Sequence, residues 1–215
     1  SWKRVAALPN DRIRVIETAD STLYAASELD VVYSTTDGLN WIASTPIERA
    51  GAITGVAVFK NKLFAGTELY GIFTSNNGGQ TWANSNSSLL IASSFAVLND
   101  TLYGGSSQVY GIGVFDEAHS QWASFKTGLP TNYNLDVQKL ILVDNTLFSV
   151  QGANGNYYIY DKTAKAWQEH YFFGASYTPG LRVTDMIYDS GVLFAAENDA
   201  VLISDDTGVS WSLDT

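Results

Sequence analysis

Six tryptophans, at positions 2, 41, 82, 122, 167 and 211, divide this chain of 215 residues into near-equal intervals. The gaps are 39, 41, 40, 45 and 44 residues, and no tryptophan lies off the ladder. A fixed internal period of this length marks a repeat architecture and constrains the fold before any local reading begins. Each interval follows one plan. An apolar run passes through a short polar turn into a second apolar run, as in "RIRVIETADSTLYAAS", "ITGVAVFKNKLFAGT", "SSFAVLNDTLYGGS", "VQKLILVDNTLFSV" and "VTDMIYDSGVLFAA". The turns "ADST", "KNK", "NDT", "DNT" and "DSG" hold residues that tolerate tight hairpin geometry. A third short run comes next, such as "VVYS" or "YYIY", and a polar stretch then leads into a fourth run that starts at the tryptophan.

Four short strands per interval predict an all-β fold: a β-propeller of about five four-stranded blades, forming a single domain over residues 1–215. Helical repeats would need apolar residues at a 3.6-residue period over ten or more positions, and no window shows that pattern. Both ends carry a fourth-strand segment, "SWKRVAAL" and "SWSLDT", around only five sets of inner strands. The alternative is that the five repeats are a portion of a six- or seven-bladed propeller.

Composition narrows the partners. With 12 basic and 22 acidic side chains the net charge is −10, so a nucleic acid would be repelled by most of the surface. No apolar stretch approaches the ~18 residues that a membrane-spanning helix requires, so no membrane insertion is expected. No signal-peptide pattern is present, a segment that a processed chain would have lost. Cysteine is absent, which excludes disulfides, thiolate metal sites and cysteine nucleophiles.

Three of the polar stretches, "STTDGLNW", "SNNGGQTW" and "SDDTGVSW", share more than composition. They resemble the Asp-box, or BNR repeat: Ser or Thr, any residue, Asp, any, Gly, any, Thr or Ser, then Trp. Ser204, Asp206, Gly208, Ser210 and Trp211 fill all five defined positions. Ser75, Gly79, Thr81 and Trp82 fill four, with Asn77 in the place of Asp. Ser34, Gly38 and Trp41 fill three; Thr36 holds the Asp position and Asp37 comes one place late. The turns at 115–122 and 160–167 keep only the tryptophan and look like the aromatic-Asp turn of kelch repeats. The box is expected to be structural. Its Asp or Asn accepts hydrogen bonds from its own turn, its Gly permits positive φ, and its Trp covers the turn.

Asp-boxes occur in sialidases, sortilin-like receptors, some xyloglucan-cleaving enzymes and photosystem assembly factors. The resemblance to sialidases implies three arginines gripping a carboxylate, but Arg4, Arg12 and Arg14 crowd one blade boundary and leave only Arg49 and Arg182 elsewhere. His119 and His170 are the only histidines, so a three-histidine zinc site is impossible; no metal and no cofactor is predicted. No G-x-S-x-G elbow supports a Ser-His-Asp triad. A glycoside hydrolase needs only two carboxylates about 5–10 Å apart, so it stands as the alternative to a non-catalytic role.

In such propellers, ligands bind at one end of the axis, on the loops that follow the second and fourth strands, with the Asp-box turns at the other end. Glu28, Glu68 and Glu197 hold similar places in three second-strand loops and can hold a cation or a polar sugar. Tyr70, Tyr110 and Tyr157 are assigned to loops of the same type, and Tyr133 and Tyr177 to the two longest inter-blade loops. Exposed rings there can stack on sugars or anchor a protein. The expectation is an exported bacterial binding module, secreted, periplasmic or at the cell surface, that recognises a protein or glycan through this face.

Overall fold

Each blade begins with a hairpin whose turn is set by residues that accept positive φ. Lys60 and Asn61, Asn99 and Asp100, Asp144 and Asn145, and Ser190 and Gly191 all have positive φ, as does Asp20 in the first hairpin. Two successive positive-φ residues give the type I′ turn, whose twist matches that of the flanking strands. The computed structural model describes residues 8, 12–85, 91–106, 111–131, 135–151, 155–173 and 180–214.

The first blade comprises β1 (Ile13–Ala19), β2 (Thr22–Ser27), β3 (Val32–Thr35) and β4 (Ile42–Ala43). The second comprises β5 (Ile53–Phe59), β6 (Lys62–Thr67), β7 (Gly71–Ser75) and β8 (Ala83–Asn84). The third has β9 (Ala92–Leu98), β10 (Thr101–Ser106), β11 (Ile112–Asp116) and β12 (Gln121–Ser124). The fourth has β13 (Val137–Val143), β14 (Thr146–Gln151), β15 (Asn156–Asp161) and β16 (Ala166–Tyr171). The fifth has β17 (Val183–Asp189), β18 (Val192–Glu197), β19 (Val201–Ser204) and β20 (Ser212–Asp214). Every sheet runs in chain order, so the fold is all-β, a five-bladed β-propeller of four-stranded antiparallel blades. The fifth blade is completed by its own β20, which pairs with β19. Apart from Leu8, the amino-terminal segment "SWKRVAAL" lies outside the described residues.

A register shift recurs in the first hairpin of four blades, at Ile13/Val15, Ile53/Gly55, Val137/Lys139 and Val183/Asp185. Such a bulge bends the strand and fixes its register. It also aligns the blades residue by residue: Ile16, Val56, Leu140 and Met186 stand opposite Ala25, Ala65, Ser149 and Ala195.

The chain divides into two compact units, Ser1–Ala92 with His119–Trp122, and Ser93–Ala118 with Ala123–Thr215. In the first, Ala26 and Val32 of one blade pack with Ile53 and Val56 of the next, joined by Tyr24. In the second, Ile112, Ala96 and Tyr103 pack with Val137 and Leu140, and Phe148, Val150, Tyr157 and Ile141 pack with Val183 and Met186. In all three contacts the first strand of the later blade lays its apolar side chains on the face of the blade before it.

The polar turns before Trp41, Trp82 and Trp211 share one hydrogen-bond scheme. The Ser75 hydroxyl donates to Asn77 Oδ1 (2.8 Å) and accepts from the Gly79 N–H (2.8 Å), while Asn77 Oδ1 accepts from the Thr81 N–H (3.0 Å). Ser204 and Asp206 repeat this with Gly208 and Ser210 at 2.7, 2.9 and 2.9 Å. In the first blade the scheme is carried by Thr35 and Asp37, one residue beyond Ser34 and Thr36. The Thr35 hydroxyl donates to Asp37 (3.0 Å) and accepts from the Gly38 N–H (3.0 Å), and Asp37 accepts from Asn40 (2.8 Å). The strand register explains this correction: Leu23, Leu63 and Leu193 stand opposite Thr35, Ser75 and Ser204. The first turn is one residue shorter, so spacing counted back from the tryptophan lands one position early. Gly79 is required twice over, by its φ of +86° and by a would-be Cβ only 2.6 Å from Ser44 Cβ.

Tryptophans tie neighbouring segments within each unit. Trp82 Nε1 donates to the Thr45 carbonyl (3.0 Å), Trp122 Nε1 to Ser85 Oγ (3.2 Å) and Trp167 Nε1 to the Phe125 carbonyl (3.0 Å). Trp41 Nε1 is buried and has no hydrogen-bond partner among the described residues.

Candidate functional site

The loops after β2 and β6 are built alike. Each of these strands ends in a buried hydroxyl residue, Ser27 or Thr67, that turns its oxygen into the loop. Ser27 Oγ accepts from the Leu29 N–H (3.0 Å); Thr67 Oγ1 accepts from the Tyr70 N–H (3.3 Å) and donates to the Gly71 carbonyl (2.7 Å). The next N–H in each blade, Glu28 or Glu68, donates back to the Arg12 or Ala52 carbonyl at 3.1 or 3.0 Å. Asn84 Nδ2 then holds the Tyr70 carbonyl (2.9 Å). With the backbone fixed from below, three large apolar side chains are left outside: Leu29 is 66% exposed, Leu69 64% and Tyr70 54%.

Carboxylates flank these tips. Glu28 accepts from Arg14 Nε (2.8 Å) and Arg12 Nη1 (3.4 Å), exposed pairs of the kind that contribute at most about 1 kcal/mol. Glu68 is exposed beside Leu69. Asp30 lies in the same loop as Glu28, at a φ of 62°, and burial raises its carboxyl pKa above the ordinary value. Its Oδ1 is buried without a hydrogen-bond partner among the described residues, while its carbonyl accepts from the Ile47 N–H (2.9 Å). This end of the first unit therefore presents fixed apolar tips beside three acids, one of them partly desolvated.

Glu197 does not occupy the position of Glu28 and Glu68. The pairs Ile13↔Ser27, Ile53↔Thr67 and Val183↔Glu197 align it with the buried Ser27 and Thr67, one residue earlier. A one-residue slip turns a strand side chain to the other face. Glu197 instead shapes its own loop, its Oε2 accepting from the Asp199 N–H (3.3 Å) and its N–H donating to the Ala200 carbonyl (3.0 Å).

Tyr157 is a correction as well. It sits in strand β15, not in a loop, and is 1% exposed. Its hydroxyl donates to the Gly208 carbonyl and accepts from Trp211 Nε1 (3.3 Å). Its ring lies 4.8 Å from Phe172 and 5.9 Å from Trp211. Burial raises its pKa, and the side chain belongs to the core. Tyr110, Tyr133 and Tyr177 lie outside the described residues.

Two features escaped the sequence reading. The dipeptide Glu-Leu recurs at 28–29 and 68–69, a signal visible in "ASELD" and "GTELYG" once the loops are aligned. The second is a polar cluster in the fourth blade. There Glu169 accepts from Asn156 Nδ2 (2.7 Å) and from the Tyr158 hydroxyl (3.0 Å), and burial together with this carboxylate raises the Tyr158 pKa. Among the described residues, no group of three or more His, Asp or Glu side chains is placed to hold a metal ion, and no helix is long and apolar enough to cross a membrane.

No protein-family model matches the sequence, and no curated protein matches it. Similar folds are found among solved structures. YCF48 bound to D1 peptide aligns with 99% of this chain and 70% of its own, at 15% identity and a TM-score of 0.68. The extracellular domain of the hybrid two-component system BT4673 from B. thetaiotaomicron aligns with 96% of this chain and 28% of its own, at 14% identity and a TM-score of 0.76. A GH74 xyloglucanase from Xanthomonas campestris aligns with 91% of this chain and 36% of its own, at 16% identity and a TM-score of 0.69. The chain thus spans about a third or less of the last two. At such identities the likeness is one of fold: this chain is similar to propellers that serve unlike ends.

Proposed function

We propose that the chain is an exported, non-catalytic binding module of the Asp-box type that recognises a peptide segment of a protein partner. The reading rests on one observation: Leu29, Leu69 and Tyr70 are exposed at loop tips whose backbones are held by buried hydroxyls. Large apolar side chains on a prearranged surface cost little ordering entropy when a partner docks. Apolar anchors surrounded by charge are the usual form of a protein-recognition centre. Glu28, Glu68 and Asp30 beside them favour a segment that carries basic residues next to its apolar ones. The hydrogen-bond scheme shared by the three polar turns supports the Asp-box relation, and export agrees with the likeness to an extracellular domain.

The test is a synthetic peptide array of Leu- and Lys-containing sequences, followed by titration of the hits in solution. The double variant Leu29→Asp/Leu69→Asp should weaken the best peptide at least ~10-fold. Val209→Asp, at an exposed site in the fifth-blade turn, should leave it unchanged. Equal affinity for the double variant and the parent would remove the Glu-Leu loops from the site.

A second reading has its own observation. Burial raises the pKa of Asp30, which lies two residues from Glu28, and glycoside hydrolysis uses two carboxyl groups in unlike environments. Release of sugar from xyloglucan oligosaccharides, abolished in Asp30→Asn, would establish that reading in place of the first.

A further inference from the structure

The two Glu-Leu loops match residue for residue, and their third position sets them apart. Ala26 stands opposite Val32 and Gly66 opposite Ile72, so the turns at 28–31 and 68–71 align without a gap. That third residue is Asp30 in the first blade and Tyr70 in the second. Both carbonyls are held, that of Asp30 by the Ile47 N–H (2.9 Å) and that of Tyr70 by Asn84 Nδ2 (2.9 Å). One loop therefore offers a carboxylate where the other offers an exposed ring.

Asp30 is the acid of the first loop that lacks a cation. Arg14 and Arg12 are turned on Glu28. Asp30 has no ion pair among the described residues, and burial alone raises its carboxyl pKa. Its Oδ1 is closed off from solvent and has no hydrogen-bond partner among the described residues. The side chain is only half-buried, which leaves Oδ2 as the oxygen that a ligand reaches. One reachable oxygen suits the compact ammonium of lysine, whereas the planar guanidinium of arginine binds a carboxylate best through both.

A single β-turn spans the two tips. The Ile47 N–H donates to Asp30, the Ala50 N–H to the Ile47 carbonyl (3.2 Å) and the Leu69 N–H to the Ala50 carbonyl (3.1 Å). A turn brings its first and fourth Cα atoms within ~7 Å, and residues paired by a hydrogen bond lie ~5.5 Å apart, which puts Asp30 and Leu69 within about 18 Å of each other. The Leu69 side chain rests on the same connection at Gly51, where a Cβ would come within 3.0 Å of Leu69 Cγ. An extended peptide rises ~3.3 Å per residue, so it covers this span with about five residues.

We propose that Asp30 is the specificity-determining residue of this face. Its Oδ2 takes the ammonium of a lysine side chain, while Leu69 and Tyr70 hold an apolar residue within about five positions of that lysine. The inference rests on the peptide-binding reading and narrows it to a lysine-containing segment of defined spacing.

Titration of matched synthetic peptides tests it. Each carries a leucine pair and, in either order, a serine spacer followed by lysine, arginine or norleucine. Norleucine in place of lysine should weaken binding about tenfold or more, and arginine should bind less tightly than lysine. The advantage of lysine over norleucine should be greatest at spacers of about five residues or fewer. Asp30→Asn keeps the side-chain shape and tolerates the positive φ. It should reduce the affinity for the lysine peptide to that for norleucine and leave the norleucine peptide unchanged. A loss shared by both peptides would mark a structural role for Asp30 and overturn the assignment. So would an arginine peptide as tight as the lysine one, an advantage that peaks at longer spacers, or an Asp30→Asn chain that ranks the peptides as the parent does. In each of those cases peptide binding through the leucines stands, whereas a parent chain that binds no peptide at all overturns both readings together.

Discussion

The turns before the tryptophans come in two kinds, and the contrast shows two ways to finish a blade. Blades one, two and five use the Ser/Thr–Asp/Asn scheme, with fourth strands of two, two and three residues. Blades three and four use a shorter turn in which Asp116 accepts from the Ala118 N–H (3.0 Å) and Asp161 from the Thr163 and Ala164 N–H groups (2.7 and 3.0 Å). Their fourth strands have four and six residues and include the tryptophan. Burial differs in step. Trp122 and Trp167 are 7% and 2% exposed, whereas Trp41, Trp82 and Trp211 are only half-buried. Where the turn holds itself together by polar bonds, the indole need not be sunk into the core. Where the turn is thin, the strand lengthens and the indole takes over the fastening.

The largest expected effect breaks this contrast or confirms it. Trp167 meets Tyr160 at 5.4 Å and Phe125 at 6.0 Å and donates to the Phe125 carbonyl. Trp167→Ala removes a buried aromatic and should cost about 3–5 kcal/mol in urea unfolding. Trp82→Ala, made in a blade with a polar turn, should cost less than half as much. Equal losses would mean that the two turns do not divide the work as their burial indicates.

A middling effect sharpens the register of the first turn. Thr35 is 4% exposed, and its oxygen serves Asp37 and Gly38. Thr35→Val keeps its shape but strands those groups, with an expected loss of about 1–3 kcal/mol. Ser34→Ala removes no hydrogen bond of the scheme and should stay within about 0.5 kcal/mol. If the two results were exchanged, the register described for this turn would be wrong.

That pair also marks what was legible beforehand. The tryptophan ladder and the hairpin residues at 60–61, 99–100, 144–145 and 190–191 carry the blade count, because spacing and turn chemistry are local. Register is not local. The first polar turn starts its scheme at Thr35, one residue after Ser34, and Glu197 aligns with Ser27 and Thr67, one residue before the places of Glu28 and Glu68, because a strand is aligned by its neighbour and not by its distance along the sequence. The glycine and asparagine residues of "GANGNYYIY" suggest a loop that reaches Tyr157, whereas the strand already starts at Asn156. In the candidate site, the acids at 28 and 68 could be read, but the exposure of Leu29 and Leu69 could not. An isolated leucine in a sequence does not say which way it points.

The smallest effect concerns charge within the polar turns. The Ser210 hydroxyl and N–H and the Ser204 hydroxyl hold the Asp206 pKa down at about 2, below its ordinary 3.8. Asn40 and Leu39 with Thr35 lower that of Asp37 in the same way. A carboxyl with a depressed folded-state pKa contributes stability above its unfolded value and loses it as pH falls through the folded one. Thermal melts of the parent chain should therefore show a loss between about pH 4 and pH 2 that Asp206→Asn reduces. At neutral pH that variant should melt only slightly lower, since Asn77 already fills the same role in the second blade. The reciprocal change, Asn77→Asp, should add pH dependence in the same window without shifting the melt at neutral pH. If neither variant alters the acid limb, the turns are held by their backbone geometry and the carboxylates are incidental to them.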